Sequence, residues 1–357
     1  MLGVSTNRDE WVVGFAPGEV AERMRFFVRN FERTRLDLAA ENEVIKWSRN
    51  LKRRSTQGKI ESFDPERIRS MAYRPFCRRV FYDSALFVDE RGAAGAMFPV
   101  GTQNQCIVLT DPTAQKPWLV LVVDDPPDLH LVGAAAGAVC LPLKTYDGVR
   151  SLDNITDWAV DQFTSHYAAA GGKSDRPISK EAIFHYVYAV LHDPIYREKY
   201  ALNLKRDFPR IPFYPAFWQW TDWGRRLMDL HLGYETVEPW PLVRRDVPDE
   251  RARAVGQAPK AQLKTDKVSG TIVLDTETTL SGVPAEAWAY VLGNRSALEW
   301  ILDQYKEKKP KDPTIREKFD TYRFADYKEK VIDLLGRVTR VSVETVGITR
   351  AMRAARR

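Results

Sequence analysis

The sequence predicts an α+β protein, on three observations. Short β-branched apolar runs bounded by Asp and Pro lie between residues 105 and 145, the pattern of buried strands. Apolar residues at helical spacing dominate 152–235. After a stretch rich in Pro, Lys, Arg and Gln at 239–270, strand-like runs return and helices finish the chain. This divides the 357 residues into an N-terminal part with short strands (1–150), a central helical part (151–240), and a linker plus a C-terminal mixed part (241–357), each of ordinary domain size.

In chain order, Trp11-Val12-Val13 reads as a short strand. Pro17-Gly18 opens a helix of about 15 residues whose Val20, Met24, Phe27 and Phe31 share one face. A second helix is expected from about Asn42 to Arg54. The segment from Tyr73 to Asp83, broken by Pro75, reads as a turn plus strand. The apolar runs begin at Cys106, Trp118 and Val139. Ser179 is placed to cap a helix ending near His192, with Ile183, Phe184, Val187, Val190 and Leu191 on its apolar face. Asp193-Pro194 breaks it, and a further helical segment continues through Leu204. Pro209, Pro212 and Pro215 precede a Trp-rich helix at about 216–231. Thr271–Leu274 and Trp288–Leu292 read as strands, 296–306 and 325–347 as helices, and the basic Arg350–Arg357 as a frayed end.

Lys plus Arg number 54 against 48 Asp plus Glu, a net charge of +6 that permits nucleic-acid binding without demanding it. Cys77, Cys106 and Cys140 are odd in number and scattered, so no disulfide framework is expected, and a reducing cytoplasm is the natural location. The first ten residues lack an apolar signal core, and no run of about 18 apolar residues would span a membrane.

Two acidic motifs invite a catalytic reading. Asp124-Asp125-Pro126-Pro127-Asp128 ends an apolar run, as the Asn/Asp-Pro-Pro-aromatic loop of amino-methylating enzymes does. That loop needs an aromatic ring to stack on a flipped base, and Asp128 occupies its place. Gly133–Gly137 is too loose for a cofactor signature, so a strand-ending turn is expected. Asp275 and Glu277 stand in the D-x-E spacing that opens two-metal exonuclease sites. The last histidine, His231, precedes them, and a turn of polar residues is the plainer reading. The five histidines make no metal-ligand spacing, and His185 and His192, seven apart on one helix, read as packed or hydrogen-bonded. No GxSxG or P-loop occurs.

Basic residues cluster at Lys52-Arg53-Arg54, at Arg74 with Arg78-Arg79, at Lys205-Arg206 with Arg210, at Arg225-Arg226, and at Lys306 with Lys308, Lys309 and Lys311. Several stand beside aromatic residues, among them Tyr73, Phe76 and Phe208. The bland alternative for each is a solvated face, and the last cluster reads as a charged loop after a helix.

Longer strings go beyond composition. Ile183-Phe184-His185-Tyr186-Val187-Tyr188-Ala189-Val190-Leu191-His192, then Tyr196-Arg197-Glu198-Lys199-Tyr200 and Asn203-Leu204-Lys205-Arg206-Asp207-Phe208-Pro209-Arg210-Ile211-Pro212, resemble the C-terminal recognition region of type ISP restriction-modification enzymes. Those are single polypeptides that join nuclease, helicase-like ATPase, adenine-specific DNA methyltransferase and target-recognition parts. Strings at Thr6–Trp11, Lys46–Lys52, Tyr73–Phe76, Pro127–Leu131, Leu292–Trp300 and Ser342–Val346 agree in order, so the resemblance covers nearly the whole chain.

The resemblance implies sequence-specific recognition of double-stranded DNA for adenine-N6 methylation and restriction. It places catalysis and S-adenosylmethionine on methyltransferase and helicase parts outside this chain, so no catalytic residue, metal or cofactor is expected within it. Contact with DNA is expected at Lys52, Arg53, Arg54, Arg74, Arg78, Arg79, Lys205, Arg206 and Arg210, because the planar fork of Arg suits phosphate and guanine alike. Two rival readings remain: a metal-dependent nuclease using Asp275 and Glu277, and a docking module between methyltransferase and helicase that does not itself read DNA.

Overall fold

The computed structural model describes residues 1–36, 44–114, 116–148, 150–169 and 176–357. The fold is α+β, with several separate antiparallel sheets among its helices.

The first segment is organised by a buried charge. Arg8, 1% exposed, donates to the Phe87 carbonyl, to Ser48 Oγ at 2.5 Å and to Asp89 at 3.2 Å. Beside this anchor Asp9–Val12 close a helical turn (α1), where a strand was expected, and only Val13–Gly14 (β1) is extended. Helix α2 (Pro17–Leu36) buries Val20, Met24, Phe27 and Phe31 completely, the face its spacing predicts. Helix α3 (Arg49–Thr56) starts later than the sequence implies, where the Ser48 side chain accepts from the Leu51 N–H. Asn42 and Glu43, the expected start, lie outside the described residues.

Strands β2 (Ile68–Arg74) and β3 (Cys77–Tyr82) form a hairpin, with β1 on the far edge of β3. Trp11, Phe27, Phe31, Phe81 and Phe87 pack between this sheet and its helices. At the hairpin tip Phe76 has φ +54°, a conformation non-glycine residues rarely adopt. Its buried ring meets Tyr234 at 5.3 Å and His231 at 6.0 Å, so packing holds the strained turn. A single turn, α4 (Ala93–Ala96), follows.

The second sheet has β4 (Cys106–Thr110) between β5 (Val120–Val123) and β6 (Ala138–Pro142). Every residue of β4 is buried, which explains its unbroken apolar run. An exposed hairpin, β7 (Lys144–Asp147) and β8 (Arg150–Asp153), leads to α5 (Asp157–Ala169). Helix α6 (Lys180–His192) carries the expected Ser179 cap, α7 (Pro194–Lys199) is capped by Asp193, and α8 (Phe217–Leu232) lies against α6. The approach requires glycine: a Cβ on Gly224 would stand 1.8 Å from the His185 carbonyl oxygen. The Val122 N–H donates to Tyr188 Oη at 3.0 Å and fixes α6 to β5.

The stretch 239–270, read as a linker, is structured. It supplies β9 (Val243–Asp246), α9 (Glu250–Ala254) and β10 (Ala261–Asp266). With β11 (Thr271–Asp275) and β12 (Thr278–Ser281) these strands form a four-stranded sheet in the order β10-β11-β12-β9. All four residues of β9 are exposed, so no apolar alternation announces it. Trp288 and Ala289 belong to α10 (Ala285–Ala289), not to the expected strand, which shrinks to β13 (Val291–Leu292) paired with β14 (Arg295–Ser296). Helix α11 (Ala297–Gln304) opens on a capping box between Ser296 and Glu299, α12 (Pro313–Lys318) on Asp312, and α13 (Lys328–Arg353) packs on α10 and α11. The C-terminus is pinned where fraying was expected: Arg357 pairs with buried Asp193 at 2.5 Å. The larger core is shared, running from Ala72 through the α6–α8 pair to Met352.

Candidate nucleic-acid interface

The nine cations expected at DNA fall into two groups. Four are committed inside the protein. Arg54 donates to the carbonyls of Leu86, Val88 and Asp89 at 3.0, 2.7 and 2.8 Å. Arg74 pairs with Asp128 at 2.6 Å, both largely buried. Burial pushes the Asp128 carboxyl up to about 6, against the pull of Arg74, so the pair is charged at neutral pH. Arg78 is surrounded by Asp124, by Asp125 at 3.1 Å and by Glu235 at 2.6 Å. Arg79 donates to the Gln304 carbonyl at 2.8 Å and covers the Phe15 ring. These arginines are staples of the fold, each fork engaged by groups of the protein itself.

The other five are exposed: Lys52 and Arg53 on α3, and Lys205, Arg206 and Arg210 after α7. Phe208, 58% exposed, stands within the latter group. The turn Asn203–Lys205 packs against Pro112–Ala114, next to exposed Lys116.

Lys116 leads into a cleft that the sequence did not reveal. Three adjoining cavities of about 510, 270 and 370 Å³ share lining residues: Asp9 and Glu10 line the first two, Tyr73, Gln304 and Lys308 the last two. One wall is the N-terminal segment with the β2–β3 hairpin, and the other is the stretch around β14, α11 and the loop before α12. Lys46, Lys116, Lys309 and Lys311 line it, exposed and without a side-chain hydrogen bond or ion pair among the described residues. Arg295, Lys306 and Lys308 share a single carboxylate, Asp303, at 3.1, 3.6 and 3.4 Å.

Three of the acids that line the cleft have partners within the fold. Glu10 accepts from the backbone N–H groups of Lys311 and Asp312 at 2.8 Å each, Asp312 caps α12 and accepts from Trp11 Nε1 at 2.7 Å, and Asp128 holds Arg74. Lys and Arg outnumber Asp and Glu among the side chains that line the three cavities, which leaves the groove a positive surplus. The lysine run 306–311, expected to be a charged loop, is one of its edges. The available signal was local: four lysines within six positions, with Glu307 the one acid among them.

The rival motifs resolve as structure. Asp275 pairs with Lys328 at 2.8 Å and accepts from the N–H groups of Glu277 and Thr278, while Glu277 pairs with Arg253 at 2.9 Å. Each carboxylate has its own cation, and no cluster of three or more metal-ligating side chains exists among the described residues. Asp124 and Asp128 of the Pro-Pro turn hold Arg78 and Arg74. His192 bonds the Tyr188 carbonyl through Nδ1 at 2.9 Å, and His231 lies between Tyr188 Oη and Thr345. Burial holds both rings neutral, His192 with its pKa down at about 3.

Known proteins share this architecture. The structure of the DrdV–DNA complex, determined by cryoEM, matches with a TM-score of 0.90 and 46% identity over 100% of this chain and 36% of that chain. A nuclease-deletion mutant of the Type ISP restriction-modification enzyme LlaGI, in complex with a DNA substrate mimic, matches with a TM-score of 0.79 and 26% identity over 98% of this chain and 32% of that one. The ATP-dependent Type ISP enzyme LlaBIII bound to DNA, 24% identical over 98% of this chain and 23% of its own, shares the fold at a TM-score of 0.80. This chain thus spans about a third, or less, of the length of those proteins. No curated protein matches it. The family described as the Type ISP C-terminal specificity domain matches residues 1–334, nearly the whole fold described above, and the chain belongs to that family.

Proposed function

We propose that this chain is the DNA target-recognition module of a restriction-modification enzyme, and that the cleft between its N-terminal wall and the lysine loop takes duplex DNA. The observation that carries the reading is the set of four cleft lysines, Lys46, Lys116, Lys309 and Lys311, that make no ion pair among the described residues. Such cations neutralise phosphates and position the duplex, and base edges in the groove are then read by side chains of the walls. Kinship with the DNA-bound DrdV and LlaGI proteins supports it.

Adenine-N6 methylation and cleavage belong to methyltransferase, helicase and nuclease parts outside this chain, with S-adenosylmethionine held there. The glycines of 133–137 sit in turns that feed β6. A cytoplasmic setting is supported by the three free thiols Cys77, Cys106 and Cys140.

The test is selection of a randomised duplex pool by the chain at defined salt, followed by titration of the enriched sequence. Enrichment of one motif, with affinity that falls as salt rises, is the expected result. Salt-sensitive binding without any enriched motif would convert the chain into a docking module that does not read DNA.

A further inference from the structure

A second cavity, of about 490 Å³, opens at the base of the β13–β14 hairpin whose tip lines the cleft. Arg197 of α7 and Arg350 and Arg353 of α13 line it, with Thr349 and Tyr290 beside them. Two of the arginines have partners: Arg353 pairs with Glu198, and Arg350 reaches Glu286 at 3.7 Å. Arg197 has none, with no side-chain hydrogen bond or ion pair among the described residues. It is half-buried in the cavity wall, and burial pulls its pKa below the ordinary value. A partly buried cation without a partner is stabilised by a counter-anion that brings it a charge-assisted hydrogen bond.

We propose that this cavity binds a phosphate-class oxyanion, gripped by the Arg197 fork and flanked by Arg350 and Arg353. Guanidinium suits such a ligand because two parallel N–H groups meet two oxygens. The same chemistry is offered by a free phosphate, by a phosphorylated small molecule and by a DNA backbone phosphate. The cavity shares the β13–β14 hairpin with the cleft, which brings the last source within the geometry.

Thermal unfolding of the chain in inorganic phosphate, against chloride of equal ionic strength, tests the site. Phosphate at about 10 mM raises the wild-type Tm by roughly 2–4 °C over chloride. Arg197→Met keeps the apolar stem and drops the charge. It matches or exceeds the wild type in chloride and gains nothing from phosphate, so the two proteins exchange order. Arg197→Lys, which keeps the charge without the fork, retains part of the response.

A second arm measures the salt dependence of duplex binding. A log–log slope smaller by about 0.9 in Arg197→Met assigns the anion to a DNA phosphate, whereas equal slopes with an intact phosphate response assign a free one. An equal phosphate response in wild type and Arg197→Met overturns the site. So does no response in either combined with equal slopes. A lower Tm for Arg197→Met in chloride makes Arg197 a structural residue and overturns it too. The phosphate arm does not use DNA, so its failure is separable from failure of the target-recognition reading.

Discussion

The arginines of the β2–β3 hairpin and the lysines of the loops facing it carry the same charge and have opposite fates. Arg74, Arg78 and Arg79 project from regular strands into an environment of carboxylates, carbonyls and rings, and every fork is used within the fold. Lys116, Lys309 and Lys311 sit on loops, exposed, and meet no side-chain partner among the described residues. Helix α3 repeats the contrast between neighbours: Arg54 binds three carbonyls, and Arg53 faces solvent. A basic cluster is therefore no guide to a nucleic-acid surface until the local acids have been assigned. The strand arginines stabilise the platform, and the loop lysines give it a field.

The contrast breaks most readily at Arg74. Replacing it with Ala strands the buried Asp128 carboxylate and costs about 3–5 kcal/mol of unfolding free energy by chemical denaturation. A loss below about 1 kcal/mol would show that the pair is no staple. Next in size is the triple change of Lys116, Lys309 and Lys311 to Ala. The denaturation midpoint stays put, while the log–log salt slope of duplex binding shrinks by about 2.7 and affinity drops on the order of 10²-fold near 0.1 M salt. An unchanged slope removes the cleft from the DNA path.

The α3 neighbours sharpen the contrast further. Arg54→Ala loses about 2 kcal/mol of stability with its charge-assisted bonds, and Arg53→Ala changes stability by less than about 0.5 kcal/mol. Equal losses would erase the distinction. The smallest effect is a pH response. His192 and His231 have folded pKa values depressed below the unfolded value of about 6.5. The unfolded chain takes up protons below that pH while the folded chain does not, so the stability they supply above pH 6.5 is lost as pH falls toward the folded values. Each contributes up to about 1.4 kcal/mol per pH unit. Denaturation of His192→Leu between pH 7 and 5.5 should show a flatter decline than the wild type, and parallel declines would exclude His192 as a source.

Elements set by local chemistry were legible in the sequence. The α2 face, the Ser179 cap and the β4 and β5 runs follow from spacing and residue type alone. Elements set by pairing were not. Strand β9 is polar and wholly exposed, and it exists because β12 offers it backbone partners. Trp11 and Val12 have strand-forming side chains, yet α1 follows the Arg8 anchor across to Asp89. The site divides in the same way. That the chain carries basic, aromatic-flanked segments was visible, and Lys205, Arg206 and Arg210 are exposed beside Phe208 as such a segment should be. Which cations are spent was hidden, because Arg74 meets an acid 54 positions away, Arg78 one 157 away, and Arg79 a carbonyl 225 away.

Glu10 and Trp11 seize the backbone and side chain of residues some 300 positions later, at Lys311 and Asp312, so the two banks of the cleft are buttoned together at one end. A channel fastened in this way has a fixed gauge. A helix of the wrong breadth must itself bend or narrow to be seated, and the energy of doing so varies with base-step stiffness. With duplex DNA seated there as proposed, positions that no side chain touches enter the choice of target through their mechanics, and selection from a randomised pool by Glu10→Ala is expected to relax at those positions first.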